Sequence, residues 1–225
     1  FSMRTVVFDL DGTLADTSGD LIAAANACFR AMGEGDVLDV GRDAGTAFRG
    51  GRAMLSAGLA RLGRPEAEAA AAVEAWYPRL LRFYEAEIDV HTRFYPGALD
   101  AVGALRAAGY RVGICTSKPE ALAALLLERL SARAAFVALV GADTLPVRKP
   151  DPAPLRETIR RLGGAMDRAV LVGDTVTDVD TARAAGAPSI LVTFGPNGRE
   201  VATLGAQALI GHFDELPGVI RQLIG

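Results

Sequence analysis

Short apolar runs rich in β-branched residues recur along the chain, and segments with helical spacing separate them. This alternation constrains the fold more than any other feature. The runs are Val6-Val7-Phe8, Val112-Gly113-Ile114-Cys115, Ala169-Val170-Leu171-Val172 and Ile190-Leu191-Val192, with a weaker one at Ala208-Leu209-Ile210. Continuous apolar runs of this length suit strands covered on both faces. Between them, Leu99, Val102, Leu105 and Ala108 follow Pro96-Gly97 at helical spacing, and Gly109 closes the segment. Pro119 opens another pattern, carrying Leu122, Leu125, Leu126 and Leu130. Segments 152–162 and 179–185 read the same way, with Gly163 and Gly186 as stops. Such alternation predicts an α/β fold, a parallel sheet joined by right-handed crossovers.

Residues 16–93 break the rhythm and contain no strand run. Leu21, Ile22, Ala25, Cys28, Phe29 and Met32 share one helical face; Met54, Leu55, Leu59 and Leu62 mark a second helix, and 73–84 a third. The stretch reads as an all-helical insert directly after the first strand, with hinges near 15–18 and 92–96. The expected division is a sheet core formed by 1–15 and 94–225, and a helical domain at 16–93.

Composition narrows the function. Of 225 residues, half are hydrophobic and 23% charged, enough apolar content to bury a core and to exclude whole-chain disorder. The net charge is −3, so the basic footprint of a nucleic-acid binder is absent. No apolar stretch reads as a membrane span. Cys28 and Cys115 sit far apart in apolar patterns and are expected as buried free thiols. No secretory start is visible, and a cytoplasmic location is expected. Phe1 and Ser2 precede a Met and read as the remnant of a cleaved tag. Lysine occurs only at 118 and 149, every other basic side chain (the two histidines aside) being arginine.

Polar clusters follow three of the strands: Asp9-Leu10-Asp11-Gly12-Thr13, Thr116-Ser117-Lys118, and Gly173-Asp174-Thr175 with Asp178. In an open parallel sheet, ligands bind at the carboxyl ends of the strands. Asp9, Asp11, Thr116, Asp174 and Asp178 should therefore gather there, with Lys149 reaching in from a loop. Crowded carboxylates raise one another's pKa, and a hard cation such as Mg²⁺ relieves this. Such a site suits a phosphate substrate, whose oxygens Lys149 and Thr116 would hold. Gly12 permits the tight turn that aims backbone N–H groups at an anion. Of two aspartates spaced by two, one can attack phosphorus while the other exchanges a proton with the leaving group and then with water.

These clusters, in their order and spacing, resemble the four motifs of the haloacid dehalogenase superfamily of phosphatases. The stretches 145–155, 181–188 and 192–195 resemble phosphoglycolate phosphatases within it. The resemblance implies a Rossmann-like core, a C1-type helical cap at 16–93, and Mg²⁺ bound through Asp9, Asp11, Asp174 and Asp178. It also implies Asp9 as nucleophile, Asp11 as acid/base, Lys149 beside them, and phosphate contacts from Gly12, Thr116 and Ser117. Many relatives carry Asn where this chain has Ser117. The expected activity is hydrolysis of a small phosphorylated metabolite, with 2-phosphoglycolate leading, by a monomer or homodimer.

Other members of the superfamily fit less well. Asp11 argues against a haloalkanoate dehalogenase, the lysine-free cap against a phosphonatase, and the missing spans against a transporting ATPase. A sugar phosphomutase is the nearest enzymatic alternative, and an inactive binding module the non-enzymatic one. In the cap, Arg52 after Gly50-Gly51 is the leading candidate to read the substrate, with Arg49 and Arg42 as rivals. Trp76 and Tyr77 are expected in the cap core, His91 and His212 at surfaces, and Lys118 at a solvent-reachable helix start.

Overall fold

The computed structural model describes residues 3–225; Phe1 and Ser2, read above as a tag remnant, lie outside the described residues. Two compact units result, one from the chain up to Ala15 together with Phe94–Gly225, the other Asp16–Arg93.

The first unit is built on a six-stranded sheet, parallel throughout. Its strands are β1 (Met3–Phe8), β4 (Arg111–Cys115), β5 (Ala138–Val140), β6 (Gly164–Gly173), β7 (Ser189–Val192) and β8 (Ala208–Ile210). Two very short strands, β2 (Ala15–Asp16) and β3 (Arg93–Phe94), pair where the chain passes between units. Spatial order in the sheet is β5-β4-β1-β6-β7-β8. β1 is therefore central, and the chain builds to one side of it before returning to the other. That reversal opens a crevice at the carboxyl ends of β4, β1 and β6. Val6, Val7 and Phe8 are fully buried, as the continuous apolar run requires.

Helices cover both faces. α5 (Ala98–Ala107) and α9 (Leu216–Ile224) pack together against the sheet, as do α7 (Ala153–Arg161) and α8 (Val176–Ala185). Leu155, Ile159 and Leu162 from the α7 segment meet Val7, Cys115, Ala138 and Leu171 from the strands in one core cluster. α6 (Glu120–Arg129) packs on β5. The sequence reading did not anticipate β5 or α9. Both cysteines are buried free thiols, and burial pushes each up to about 11.

The second unit contains α1 (Ser18–Ala31), α2 (Val40–Ala47), α3 (Gly51–Arg61) and α4 (Glu66–Ala86). Phe29 of α1 fits against Gly58 of α3, where a Cβ would fall 2.1 Å from the ring. α2 was not foreseen, because it has few apolar positions; tertiary bonds hold it instead. Asp43 joins it to Arg61 of α3 at 2.9 Å. The Asn26 side chain accepts from Val37 and Leu38 N–H and donates to the Leu38 carbonyl, fixing the approach to α2. Trp76 and Tyr77 are half-buried rather than central, each covered by an arginine, Arg79 at 4.2 Å and Arg52 at 3.9 Å. The buried face of α4 is formed by Val73, Leu80 and Tyr84 instead. Among the described residues, no helix is long and apolar enough to cross a membrane.

Candidate active site

Asp9, Thr116 and Asp174 each sit one step beyond a strand. The ladder continues past β1, with Asp9 N–H donating to the Val172 carbonyl at 2.9 Å, and past β4, with Thr116 N–H donating to the Val140 carbonyl at 2.9 Å. Backbone pairing thus fixes both residues before their side chains do anything. After Asp11 the chain turns sharply. Gly12 has φ of 79° and its N–H donates to the Ala15 carbonyl, while the N–H groups of Leu14 and Ala15 both converge on the Leu10 carbonyl. Only glycine adopts that backbone without strain.

Carboxylate oxygens of Asp9, Asp174 and Asp178 all lie within 4.8 Å of one another. Lys149 is buried against them. Its ammonium lies 2.8 Å from Asp178 Oδ1 and 3.2 Å from Asp9 Oδ1, and donates to the Cys115 carbonyl at 3.1 Å. Burial alone would discharge this lysine, but Asp178 and Asp9 outweigh it and hold the ammonium well above the usual lysine range. The carboxylates respond in turn. Burial pushes Asp9 up to about 6, against the pull of Lys149, and Asp178 and Asp11 add to the rise. Asp174 is raised well above the ordinary range by burial first and then by the charges of Asp9 and Asp178.

Asp174 bears most directly on whether the cluster suits a cation. Its Oδ1 accepts from the Thr13 hydroxyl at 2.9 Å, yet its Oδ2 is buried and meets no hydrogen-bond donor. An uncompensated buried carboxylate oxygen is costly. A donor set of oxygen atoms alone, clustered this closely, fits a hard divalent cation. Asp178 is committed differently. Its Oδ2 accepts from the backbone of Asp174 and Thr175 and its Oδ1 faces Lys149, so it buttresses the cluster from behind. Gly173 leaves it the room, since a Cβ there would fall 2.3 Å from the Asp178 carboxyl carbon.

Asp11 does not join this cluster by its carboxylate, as the expected four-aspartate metal set would have it. Its Oδ1 pairs with Lys118 Nζ at 3.0 Å. The sequence reading put Lys118 at a solvent-reachable helix start; the structure instead buries it. The reason is non-local: the segment after β4 turns inward against the loop that follows β5. The one available signal was the scarcity of lysine, whose two occurrences both face this crevice. Thr116 is buried and its hydroxyl oxygen accepts from the Lys118 N–H at 3.1 Å, whereas Ser117 is exposed.

Arg52 lies in the helical unit and is bonded there already, to Glu74 at 3.0 Å and over the Tyr77 ring. The preceding glycines have a packing explanation: Gly51 brings α3 against α4, where a Cβ would fall 2.9 Å from Leu80 and Tyr77. Arg42 is likewise taken, by Asp43 and the Val37 carbonyl. His91 and His212 are exposed.

The chain is similar to known proteins. Residues 3–186 match the family model described as haloacid dehalogenase-like hydrolase. A phosphoglycolate phosphatase of Mesorhizobium japonicum is 40% identical over 96% of this chain and 93% of its own length. One from Rhodospirillum rubrum is 41% identical over 95% of this chain and 89% of its own. Among solved structures, CbbY from Rhodobacter sphaeroides in complex with phosphate superposes with a TM-score of 0.73 at 26% identity, covering 95% of this chain and 96% of that one. Family match, full-length relatives and the converging strand-end motifs agree: the chain belongs to the haloacid dehalogenase-like hydrolases.

Proposed function

We propose that this hydrolase is a Mg²⁺-dependent phosphatase that cleaves 2-phosphoglycolate through an aspartyl-phosphate on Asp9. The observation that carries the reading is the close cluster of three carboxylates, with one lysine against it and a buried, donorless oxygen on Asp174. The substrate follows from relatives named phosphoglycolate phosphatase at about 40% identity over nearly the whole chain.

Asp9 and Asp174 would hold Mg²⁺ directly and Asp178 would steady them. When bound, the cation supplies positive charge that lets the carboxylates stay ionised beside a phosphoryl anion. The remaining work belongs to the chain. Asp9 Oδ1 accepts from the Leu10 N–H at 2.8 Å and faces Lys149, so the carboxylate is held for attack by its other oxygen. Attack forms the Asp9–phosphorus bond and breaks the bond to the leaving oxygen, which takes its proton from Asp11. In the second half, Asp11 takes a proton from water, water attacks phosphorus, and the Asp9 acyl phosphate breaks to release phosphate. Thr116, Ser117, Lys149 and the backbone after Gly12 would bind the phosphoryl oxygens. Arg52 would read the substrate's second anionic group only by leaving Glu74.

Phosphate release should be measured over a panel of small phosphate esters, with Mg²⁺ and with chelator. 2-Phosphoglycolate is expected to give the highest kcat/KM, chelator to stop turnover, and acid quenching to leave phosphate on Asp9. Label on another residue, or conversion of a sugar phosphate without phosphate release, would sink the proposal.

A further inference from the structure

Two lysines divide the work of the Asp9-Leu10-Asp11 pair. Lys149 serves Asp9, and Lys118 serves Asp11. Proton exchange demands that Asp11 hold its carboxyl group within hydrogen-bond reach of the leaving oxygen, although that side chain stands on a tight turn with two torsions of its own. Resting on the reading of Asp11 as acid/base, we infer that Lys118 is a positioning residue, anchoring one Asp11 oxygen so that the other exchanges the proton.

The anchor is itself rigidly mounted. The Lys118 N–H donates to the Thr116 hydroxyl at 3.1 Å, and its carbonyl accepts from the Ala142 N–H at 2.9 Å. The loop after β5 presses against this point so closely that residue 141 has no space for a side chain. A Cβ on Gly141 would lie 2.8 Å from the Lys118 carbonyl and 2.5 Å from the Glu120 nitrogen. The lysine side chain is 4% exposed and that of Asp11 12%, so neither charge is dissolved in bulk water. A flexible stem ending in a compact ammonium can thread this space; a planar guanidinium is wider and delivers its charge in a fixed fork. That accounts for a lysine here in a chain that otherwise uses arginine. An ion pair kept only for stability would serve every substrate alike, whereas a positioning role matters most when the leaving oxygen needs a proton.

The test compares leaving groups in the full chain with Mg²⁺. Lys118→Met and Asp11→Asn are assayed on p-nitrophenyl phosphate, whose leaving group departs without a proton, on glycerol 1-phosphate, and on 2-phosphoglycolate. The readout is the leaving group released in a single turnover, which reports formation of the Asp9 acyl phosphate and not the later water step that also uses Asp11. Lys118→Met should slow this release about 10–100-fold on both alkyl esters and no more than about threefold on p-nitrophenyl phosphate. Asp11→Asn should show the same selectivity with a larger loss, about 10²–10⁴-fold, and the double variant should be no worse than Asp11→Asn. Equal slowing of this first step on all three substrates, or losses that multiply in the double variant, overturn the inference. A loss confined to 2-phosphoglycolate also overturns it, by showing that Lys118 reads the substrate's carboxylate. If Asp11→Asn shows no leaving-group selectivity, the acid/base reading of Asp11 falls first and the role of Lys118 with it. Should Lys118→Met not fold, Lys118→Arg keeps the charge but moves it. The same selective slowing of the first step is expected, and first-step rates unchanged from wild type on all esters refute the positioning role.

Discussion

In the helical unit, the buried Asp43 carboxylate receives the Arg61 guanidinium through both oxygens, the Arg42 side chain, and the Asp39 N–H. The Arg61 bonds hold it at about 2, well below the usual carboxylate range. Asp20, also buried, accepts from the N–H groups of His91 and Thr92 and from the Thr92 hydroxyl. In the sheet unit, Asp174 is buried and Asp9 partly so, but they face other carboxylates, the one ammonium beside them pairs with Asp9 and Asp178 and not with Asp174, and both are shifted upward. A fold that merely needed to bury a carboxylate shows in its own helical unit how it does so. The opposite treatment at the strand ends is what the proposed chemistry and cation would require, at a cost in stability.

That contrast can be broken by mutation, and the largest effect belongs to Asp9. Asp9→Asn should abolish turnover while raising, or at least preserving, the melting temperature in metal-free buffer. The sign follows from linkage. Asp9 holds its proton up to about pH 6 in the folded state, against 3.8 as its ordinary value, so its contribution to stability declines as pH rises between these points. The stability gained by Asp9→Asn should therefore grow across that window and be absent below it. Melting curves from pH 3 to 7 with chelator would settle this, and a destabilised variant at pH 7 would contradict the functional reading of the cluster.

Lys149→Met should lose most turnover and stability together. Removing one partner from a buried charge set costs about 3–5 kcal/mol. Magnesium should restore part of the melting temperature, more steeply than in wild type; a variant indifferent to Mg²⁺ would argue against metal binding by these carboxylates.

Asp43→Asn probes the other side of the comparison. A lowered pKa stabilises above the ordinary value, and that stability is lost as pH falls from about 4 toward 2. The variant should lose about 2 kcal/mol at pH 7, converge with wild type on acidification, and keep its p-nitrophenyl phosphatase activity within about twofold at 25 °C. The smallest effect is expected at Arg52. Its pair with Glu74 is solvent-exposed, so Arg52→Met should cost less than about 1 kcal/mol. A tenfold rise in KM for 2-phosphoglycolate, with p-nitrophenyl phosphate unaffected, would show that Arg52 does leave Glu74 to read the substrate.

The central strands were legible because burial on both faces demands an unbroken apolar run, as in Val6-Val7-Phe8, and the helices beside them because proline and glycine punctuate them. α2 was not legible, since Asn26 and Arg61, far away in sequence, supply what its own residues lack. Trp76 and Tyr77 were misplaced for a related reason. Their size argues for a core, yet arginines cover them at the surface.

By itself the sequence determined the alternation that makes the sheet, the interruption that makes the helical unit, and the strand-end positions of Asp9, Thr116 and Asp174. All are consequences of local periodicity and of backbone pairing that continues one residue past each strand. Which charge meets which partner was decided only in three dimensions. Lys118 meets Asp11 on a segment whose backbone the loop after β5 approaches closely, as Gly141 allows. Asp178 became a buttress because the start of α8 presents backbone N–H groups to one oxygen and Lys149 stands against the other. Ion pairs depend on distance in space, and that distance is set by chain segments that no local window contains.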